Sequence, residues 1–105
     1  MTTITRDFDG QTVITTFEMS PGTAADLMEA LQAAWAEVIS RQPGFIAGAL
    51  HMNDAQTRIS SYSQWRDRRD YQAMLRTPEM RERNRHIHTL CKSFEPVMYE
   101  VQATF

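Results

Sequence analysis

Ser61 and Trp65 have a spacing that would bring them to one side of a β-strand. They lie four residues apart in the segment TRISSYSQW, residues 57–65, and alternate side chains of a strand point to the same face of a sheet. If that face borders a pocket, the indole of Trp65 would give it a flat aromatic wall beside a hydroxyl group. The structural alternative is that Trp65 packs in the core and that Ser61 is simply a small strand residue.

Three other residues carry groups that could line a pocket or act on an acidic hydroxyl. An imidazole can accept a proton at neutral pH, so His51 could act as a base. The guanidinium of Arg85 could hold an anion by a charge-assisted hydrogen bond, and Tyr71 follows Trp65 by six residues on a predicted helix. Each also has a plain structural interpretation, as a surface histidine at a strand end, a solvated arginine and a half-buried helix tyrosine.

The residues that most suggest a metal site are His86, His88 and Cys91. Residues two apart on a helix point in different directions, so the two histidines cannot chelate one ion together. His88 and Cys91 are three apart and could do so, but two ligands without carboxylate partners make a weak site. We therefore expect no metal.

Hydrophobic periodicity and turn residues predict the elements that would position these groups. Strands are predicted at residues 12–19, 45–52, 57–65 and 94–105, and helices at residues 24–40, 68–75 and 78–90. The order β-α-β-β-α-α-β predicts an α+β domain with a four-stranded antiparallel sheet and helices on one face. Residues 1–11 are expected to form an N-terminal arm, and residues 12–105 a single domain.

Local signals place several of these boundaries. Thr23 followed by Asp26 resembles a capping box and predicts the start of the first helix. Pro78 suits the first turn of the last helix. Pro96 cannot donate a ladder hydrogen bond, so the last strand should lie at a sheet edge or contain a bulge.

Composition and charge narrow the class of protein. The chain has 105 residues, of which 42% are apolar, and a formal net charge of −2. The apolar content indicates a folded chain rather than a disordered one. The net charge does not favour nucleic-acid binding. A single cysteine excludes an internal disulfide and fits a reducing compartment. The N-terminus lacks a hydrophobic signal region, and no apolar run approaches the roughly 20 residues of a membrane span. We expect a soluble, cytoplasmic protein.

The sheet face opposite the helices is also expected to carry apolar side chains. Such a face would be a large exposed patch in a monomer. A second copy of the chain is the simplest partner for it, so we expect a homodimer through the open sheet face.

Three stretches make the chain similar to the antibiotic biosynthesis monooxygenase family. They are Gln42–Phe45 before the second strand, Tyr62–Trp65 with Tyr71–Leu75 and Pro78 after it, and Ser93–Val101 at the closing strand. The resemblance covers residues 12–101. It implies a ferredoxin-like fold that pairs into a dimeric α+β barrel.

The resemblance also implies a chemistry, the oxidation of an electron-rich aromatic such as a quinol or a polyketide-like ring by O₂ without a cofactor. It assigns His51 and Arg85 to catalysis and Ser61, Trp65 and Tyr71 to substrate binding. Active family members typically carry an Asn at the position of Ser61, and a serine lacks the reach of an amide and its separate donor and acceptor groups.

Two alternatives follow from the same fold. One is a non-catalytic, small-molecule-binding member that kept the pocket, which Ser61 favours. The other is an aromatic polyketide cyclase. A haem-degrading relative would carry a histidine on the short helix after Trp65, and residues 68–75 contain none.

Overall fold

The computed structural model describes residues 2–105 and contains four strands and three helices in the predicted order β-α-β-β-α-α-β. The strands are β1 (Gln11–Glu18), β2 (Phe45–Met52), β3 (Arg58–Trp65) and β4 (Ser93–Tyr99), and the helices are α1 (Pro21–Glu37), α2 (Arg68–Arg76) and α3 (Pro78–His88). A short 3₁₀ turn, Ile39–Arg41, follows α1. Residue 1 of the predicted arm lies outside the described residues. Within residues 2–105, no helix is long and apolar enough to cross a membrane.

The four strands form one antiparallel sheet in the order β2-β3-β1-β4. The central pair aligns Thr15 of β1 with Ser61 of β3, and the other edge of β1 aligns Thr15 with Pro96. Pro96 therefore lies in an edge strand, as predicted. An edge strand tolerates a residue that has no backbone N–H to donate. The sheet with its three helices confirms the predicted ferredoxin-like α+β fold.

Strand alternation divides the sheet into a helix side and an open side. On the helix side, Val13, Ile59 and Trp65 are buried to 1% exposure or less. Ser61 and Ser63 lie between Ile59 and Trp65 on the same side and are also buried. The predicted placement of Ser61 and Trp65 on one face is thus confirmed. Helix α1 covers this side with its own buried stripe, made of Ala24, Leu27, Leu31 and Ala34.

The turn before β2 needs a glycine. Gly44 has a φ of +84°, and a Cβ atom there would lie 2.3 Å from an Asp70 carboxylate oxygen, so both the backbone conformation and the space exclude a side chain. The Gly44 carbonyl accepts a hydrogen bond from the Arg66 N–H at 2.7 Å, and Arg66 pairs with Asp70. The turn thereby fixes the start of β2 against the loop that leads into α2.

Two predicted boundaries are wrong. Helix α1 begins at Pro21 with Ser20 as its N-cap, and the Thr23 hydroxyl donates back to the Ser20 carbonyl at 3.3 Å, because proline is well suited to a first helical position. Strand β4 ends at Tyr99 rather than at residue 105. Tyr99 pairs with Thr12 near the start of β1, so β1 offers almost no strand beyond it.

The N-terminal arm, residues 2–10, covers one end of the open sheet side. Gln64 of β3 points to this side and is 3% exposed, and its amide donates to the Thr3 carbonyl at 2.8 Å. Within residues 2–105, the rest of the open side has no such cover. Ile46, Val97 and Tyr99 are 51%, 36% and 47% exposed there.

Gly48 of β2 lies directly under the ring of Trp35. A Cβ atom at this position would lie 2.1 Å from a ring carbon of Trp35. We expect Gly48→Ala to displace the ring and lower the free energy of unfolding by about 1–3 kcal/mol, the usual cost of overpacking. Urea denaturation monitored by circular dichroism would measure this.

The matched control is Gly22→Ala in the first turn of α1, where nothing lies within 4 Å of the added carbon. It should be neutral, or stabilising by about 0.4–1 kcal/mol. Equal stability of the two variants would show that Trp35 is not held against Gly48.

Candidate functional site

A cavity of about 240 Å³ lies between the sheet and the helices. Its sheet wall is formed by β1, β3 and β4, and its roof by α1, α2 and α3. The residues used below are Thr15, Ser61, Ser63 and Trp65 from the sheet and Trp35, Tyr71, Met74, Met80, Asn84 and Ile87 from the helices. A larger groove of about 370 Å³ between α1 and α3 is lined by residues of these two helices and by Leu90, just after α3. We take the inner cavity as the candidate site because aromatic and polar side chains converge there.

Trp65 is the fixed wall of the cavity. The residue is fully buried, and its indole N–H donates to the Ser63 hydroxyl at 2.9 Å. Phe45 and Tyr71 meet the indole edge-on, with ring centroids 5.4 Å and 5.7 Å away, which is a favourable arrangement of aromatic quadrupoles. These contacts hold the ring in one orientation, so a ligand meets a preorganised surface.

Tyr71 supplies a neutral hydroxyl to the same space. Burial raises the pKa of Tyr71, and a hydrogen bond with Thr15 offsets part of that rise. The phenol therefore keeps its proton throughout the physiological range. It can donate a hydrogen bond to a ligand oxygen, but it cannot serve as a base at neutral pH.

The cavity is mostly apolar and, among the described residues, carries a few polar side chains but no charged one. Among residues 2–105, its lining contains no Asp, Glu, Lys, Arg or His. Ser61, 5% exposed, lies in the sheet wall, and Asn84 of α3 is half-buried in the opposite wall. The site can therefore bind a flat ring and hydrogen-bond its oxygens, but it has no ionised group to exchange a proton with the ring.

Asn84 was missed by the sequence analysis. It lies four residues after Met80 and three before Ile87, so it belongs to the helix face that those two buried residues define. That helical spacing was the available signal. An amide within an apolar stripe would have marked Asn84 as a cavity residue.

The structure brings Ser61, Trp65 and Tyr71 together but leaves His51 and Arg85 elsewhere. His51 is exposed, with Nδ1 3.4 Å from the Ser60 carbonyl oxygen, and Arg85 is exposed and paired with Glu82. Neither lines the cavity. Their positions give no support to the catalytic roles predicted for them, which stay predictions.

A bulge in β2 explains the position of His51. The pairing of β2 with β3 shifts register between Phe45 and Ala47. Phe45, Leu50 and Met52 all pack against the core. Without the shift, His51 would share a face with Phe45, six residues earlier. With the shift, His51 points to the open side of the sheet instead.

The side chains considered for a metal site in the sequence analysis lie around the end of α3. No three His, Cys, Asp or Glu residues within residues 2–105 are grouped so that they could hold an ion. His88 stacks on Phe94 with ring centroids 4.4 Å apart. The Cys91 sulfur contacts the Ile87 carbonyl, and burial raises the pKa of its thiol.

The fold and the cavity define an α+β domain of ferredoxin-like topology with an uncharged aromatic site between sheet and helices. Residues 11–85 match the family model described as antibiotic biosynthesis monooxygenase. The match spans more than half of the chain, which belongs to this family. No curated protein matches the chain in sequence.

Solved structures with the same fold include two proteins described as oxygenases. One is SnoaB, a cofactor-independent oxygenase from Streptomyces nogalater, at 20% identity and a TM-score of 0.81, with 92% of this chain and 97% of that chain covered. Another is the monooxygenase ActVA-Orf6 of Streptomyces coelicolor in complex with nanaomycin D, at 22% identity and a TM-score of 0.80, covering 91% and 90%. Rv0793 from Mycobacterium tuberculosis is similar at 13% identity and a TM-score of 0.78, covering 91% and 98%. At these identities the likeness shows the shared fold.

Because burial raises the pKa of Tyr71, the free energy of unfolding should depend on pH in alkaline solution. Above the unfolded pKa of about 10, the folded protein still holds a proton that the unfolded chain has lost. The free energy of unfolding should therefore fall as the pH rises from 10 through the folded pKa. We expect Tyr71→Phe to flatten this dependence in urea denaturation between pH 8 and pH 11.

Tyr99→Phe, which removes a hydroxyl from the exposed tyrosine of β4, is the matched control and should keep the wild-type dependence. Identical alkaline profiles for wild type and Tyr71→Phe would show that the buried hydroxyl does not carry the effect.

Proposed function

We propose that the protein is a cofactor-independent monooxygenase that oxidises a small electron-rich aromatic, a quinol or polyketide-like ring, with O₂. The observation that carries the proposal is the cavity between sheet and helices, in which Trp65 forms an aromatic wall beside neutral hydrogen-bonding groups. Membership of the antibiotic biosynthesis monooxygenase family supports it. SnoaB, a cofactor-independent oxygenase, and the monooxygenase ActVA-Orf6 share the fold, which agrees with the proposal.

The proposed reaction needs no electron source beyond the substrate. A deprotonated quinol passes one electron to O₂, and the resulting radicals combine to a ring-bound peroxide. Cleavage of the O–O bond leaves one oxygen atom on the ring. The other oxygen leaves as water with the two hydrogen atoms that the ring has lost. A dihydroxynaphthalene would thus become a hydroxynaphthoquinone. Besides gaining one oxygen atom, the ring is oxidised by two electrons from the quinol to the quinone.

The protein's part in this reaction is binding and protection. Trp65 fixes the plane of the ring, and the Tyr71 hydroxyl can donate to a ligand oxygen as negative charge develops on it. Apolar side chains such as Met74, Met80 and Ile87 close the remaining walls. They keep water from the reactive peroxide.

The uncharged lining decides where the substrate proton goes. Because no base lines the cavity, we propose that the ring enters as the anion or loses its proton to water at the cavity mouth. The rate should then rise with pH along the titration of the substrate hydroxyl. A catalytic histidine would instead give a step near its own pKa of about 6.5.

The same observation supports a second candidate, a non-catalytic protein that binds an aromatic ligand. A cavity without an ionised group, with Ser61 at its centre, is sufficient for binding. The polyketide cyclase alternative is weaker, because aldol-type ring closure calls for an acid and a base at the substrate. Oxygen uptake separates the first two candidates.

We further propose that the protein is a homodimer through the open sheet side. Exposed apolar side chains there include Ile46, Val97 and Tyr99. Burying apolar surface stabilises by about 25 cal/mol per Å², and the arm covers only one end of this side. A second copy would cover the remainder.

Oxygen uptake with 1,4-dihydroxynaphthalene tests the enzymatic proposal. Wild type should consume O₂ faster than the buffer control, and Trp65→Leu should lose most of the increase. His51→Ala and Arg85→Ala should stay close to wild type, whereas loss of a general base would cost about 10²-fold or more.

Oxygen uptake at the control rate across a panel of quinols would favour the binding candidate. A 10²-fold loss in His51→Ala alone would restore His51 as the base and overturn proton release to water.

Light scattering at micromolar concentration tests the dimer. Wild type should have twice the chain mass, and Val97→Lys should shift it towards the monomer because a buried charge without a partner is costly. Gln32→Lys, on the exposed face of α1, is the control and should stay dimeric. A monomeric wild type would refute the proposal.

A further inference from the structure

We propose that Asn84 is the residue that orients the ligand in the cavity, by hydrogen-bonding an oxygen on the ring edge through its side-chain amide. The inference rests on the proposed function only in taking the inner cavity as the ligand site. It assigns a positioning role to a residue of α3, in the wall opposite the sheet.

Asn84 interrupts an otherwise apolar helix face. Met80 and Ile87, on the same face, are 4% and 1% exposed, and both line the cavity with Asn84. Asparagine is a poorer helix former than leucine or methionine, because its amide competes for backbone hydrogen bonds. An apolar residue would serve α3 better, so the amide has no evident structural purpose here.

The hydrogen bonds of this helix leave the amide available. At the start of α3 the Thr77 hydroxyl oxygen accepts from the Met80 N–H, and farther along Arg83 donates to Glu37 and Arg85 donates to Glu82. None of them involves Asn84. Its C=O can therefore accept and its NH₂ can donate towards the cavity.

The polar side chains of the sheet wall are already hydrogen-bonded or carry only a short hydroxyl. Ser63 accepts the Trp65 indole N–H. The Thr15 hydroxyl is short and close enough to Tyr71 to lower the pKa of that phenol. Ser61 carries a single hydroxyl close to the sheet. Tyr71 offers a single hydroxyl. Among the described lining residues, Asn84 is the one side chain with separate donor and acceptor atoms.

This amide suits a ring in two oxidation states. Its C=O can accept from a ring hydroxyl, and its NH₂ can donate to a ring carbonyl. A cavity of roughly 150 Å³ can hold benzene, so the 240 Å³ here has room for one or two fused rings. The ligand class that follows is a one- or two-ring aromatic with an oxygen on its edge.

Two matched ligands test the role without requiring turnover. The probes are 2,3-dimethyl-1,4-naphthoquinone, which has no free ring position for attack by the Cys91 thiol, and 2,3-dimethylnaphthalene, which lacks both oxygens. Equilibrium dialysis gives the Kd of each. The indole N–H signals of Trp35 and Trp65 in NMR report entry into the cavity, because both rings line it.

We expect Asn84→Leu to weaken quinone binding about five- to ten-fold, the effect of one hydrogen bond, and to leave the hydrocarbon unchanged or bound more tightly. Its Tm should equal or exceed that of wild type. Arg81→Leu, on the exposed side of the same helix, is the control and should bind both ligands as wild type does. Asn84→Asp, which lacks a donor, should lose the quinone but retain 1-naphthol.

The outcomes separate this role from the proposed function. Equal losses for quinone and hydrocarbon would make Asn84 structural and overturn the inference, as would an unchanged quinone Kd. Either result would leave the oxygenase proposal standing. Failure of the wild type to bind any probe would overturn both, whereas selective loss without oxygen uptake would support Asn84 and favour the binding candidate.

Discussion

The hydrogen bond between the Trp65 indole and the Ser63 hydroxyl is the interaction on which the site depends. Both groups are buried, and a buried N–H without a partner costs about 1–3 kcal/mol. The bond therefore does two things at once. It permits a tryptophan to lie fully inside a small core, and it fixes the ring orientation that forms one wall of the cavity. Phe45 and Tyr71 complete the constraint from β2 and α2.

An uncharged cavity has consequences for the chemistry that it supports. Ionised side chains in so small a space would need counter-charges or water, and both would compete with a flat ligand. Neutral donors such as Tyr71 and Asn84 can stabilise developing charge without that cost. In the proposed reaction the protein would then contribute little acid–base chemistry, and the reactivity would be a property of the ring and of O₂.

Much of the fold and half of the site could be predicted from sequence, for identifiable reasons. Alternation along β3 needs only local counting, so it placed Ser61 and Trp65 together correctly. His51 depends on the register of an edge strand with a bulge, which the sequence does not reveal. Arg85 and Asn84 are neighbours on α3 and differ by about 100° around the helix. Its charge made Arg85 a candidate from sequence, whereas Asn84, with its amide on the inner face, was not predicted.

The contact between Gly48 and Trp35 couples two positions that are distant in the chain. Because the indole fills the space of the missing side chain, the two residues share one volume. A larger residue at position 48 would need a smaller one at position 35, so the pair should vary together among relatives. Such an exchange would move the α1 wall of the cavity and change the size of ligand that fits there. Evolution could thereby alter substrate preference through two apolar positions, with every hydrogen-bonding group left in place.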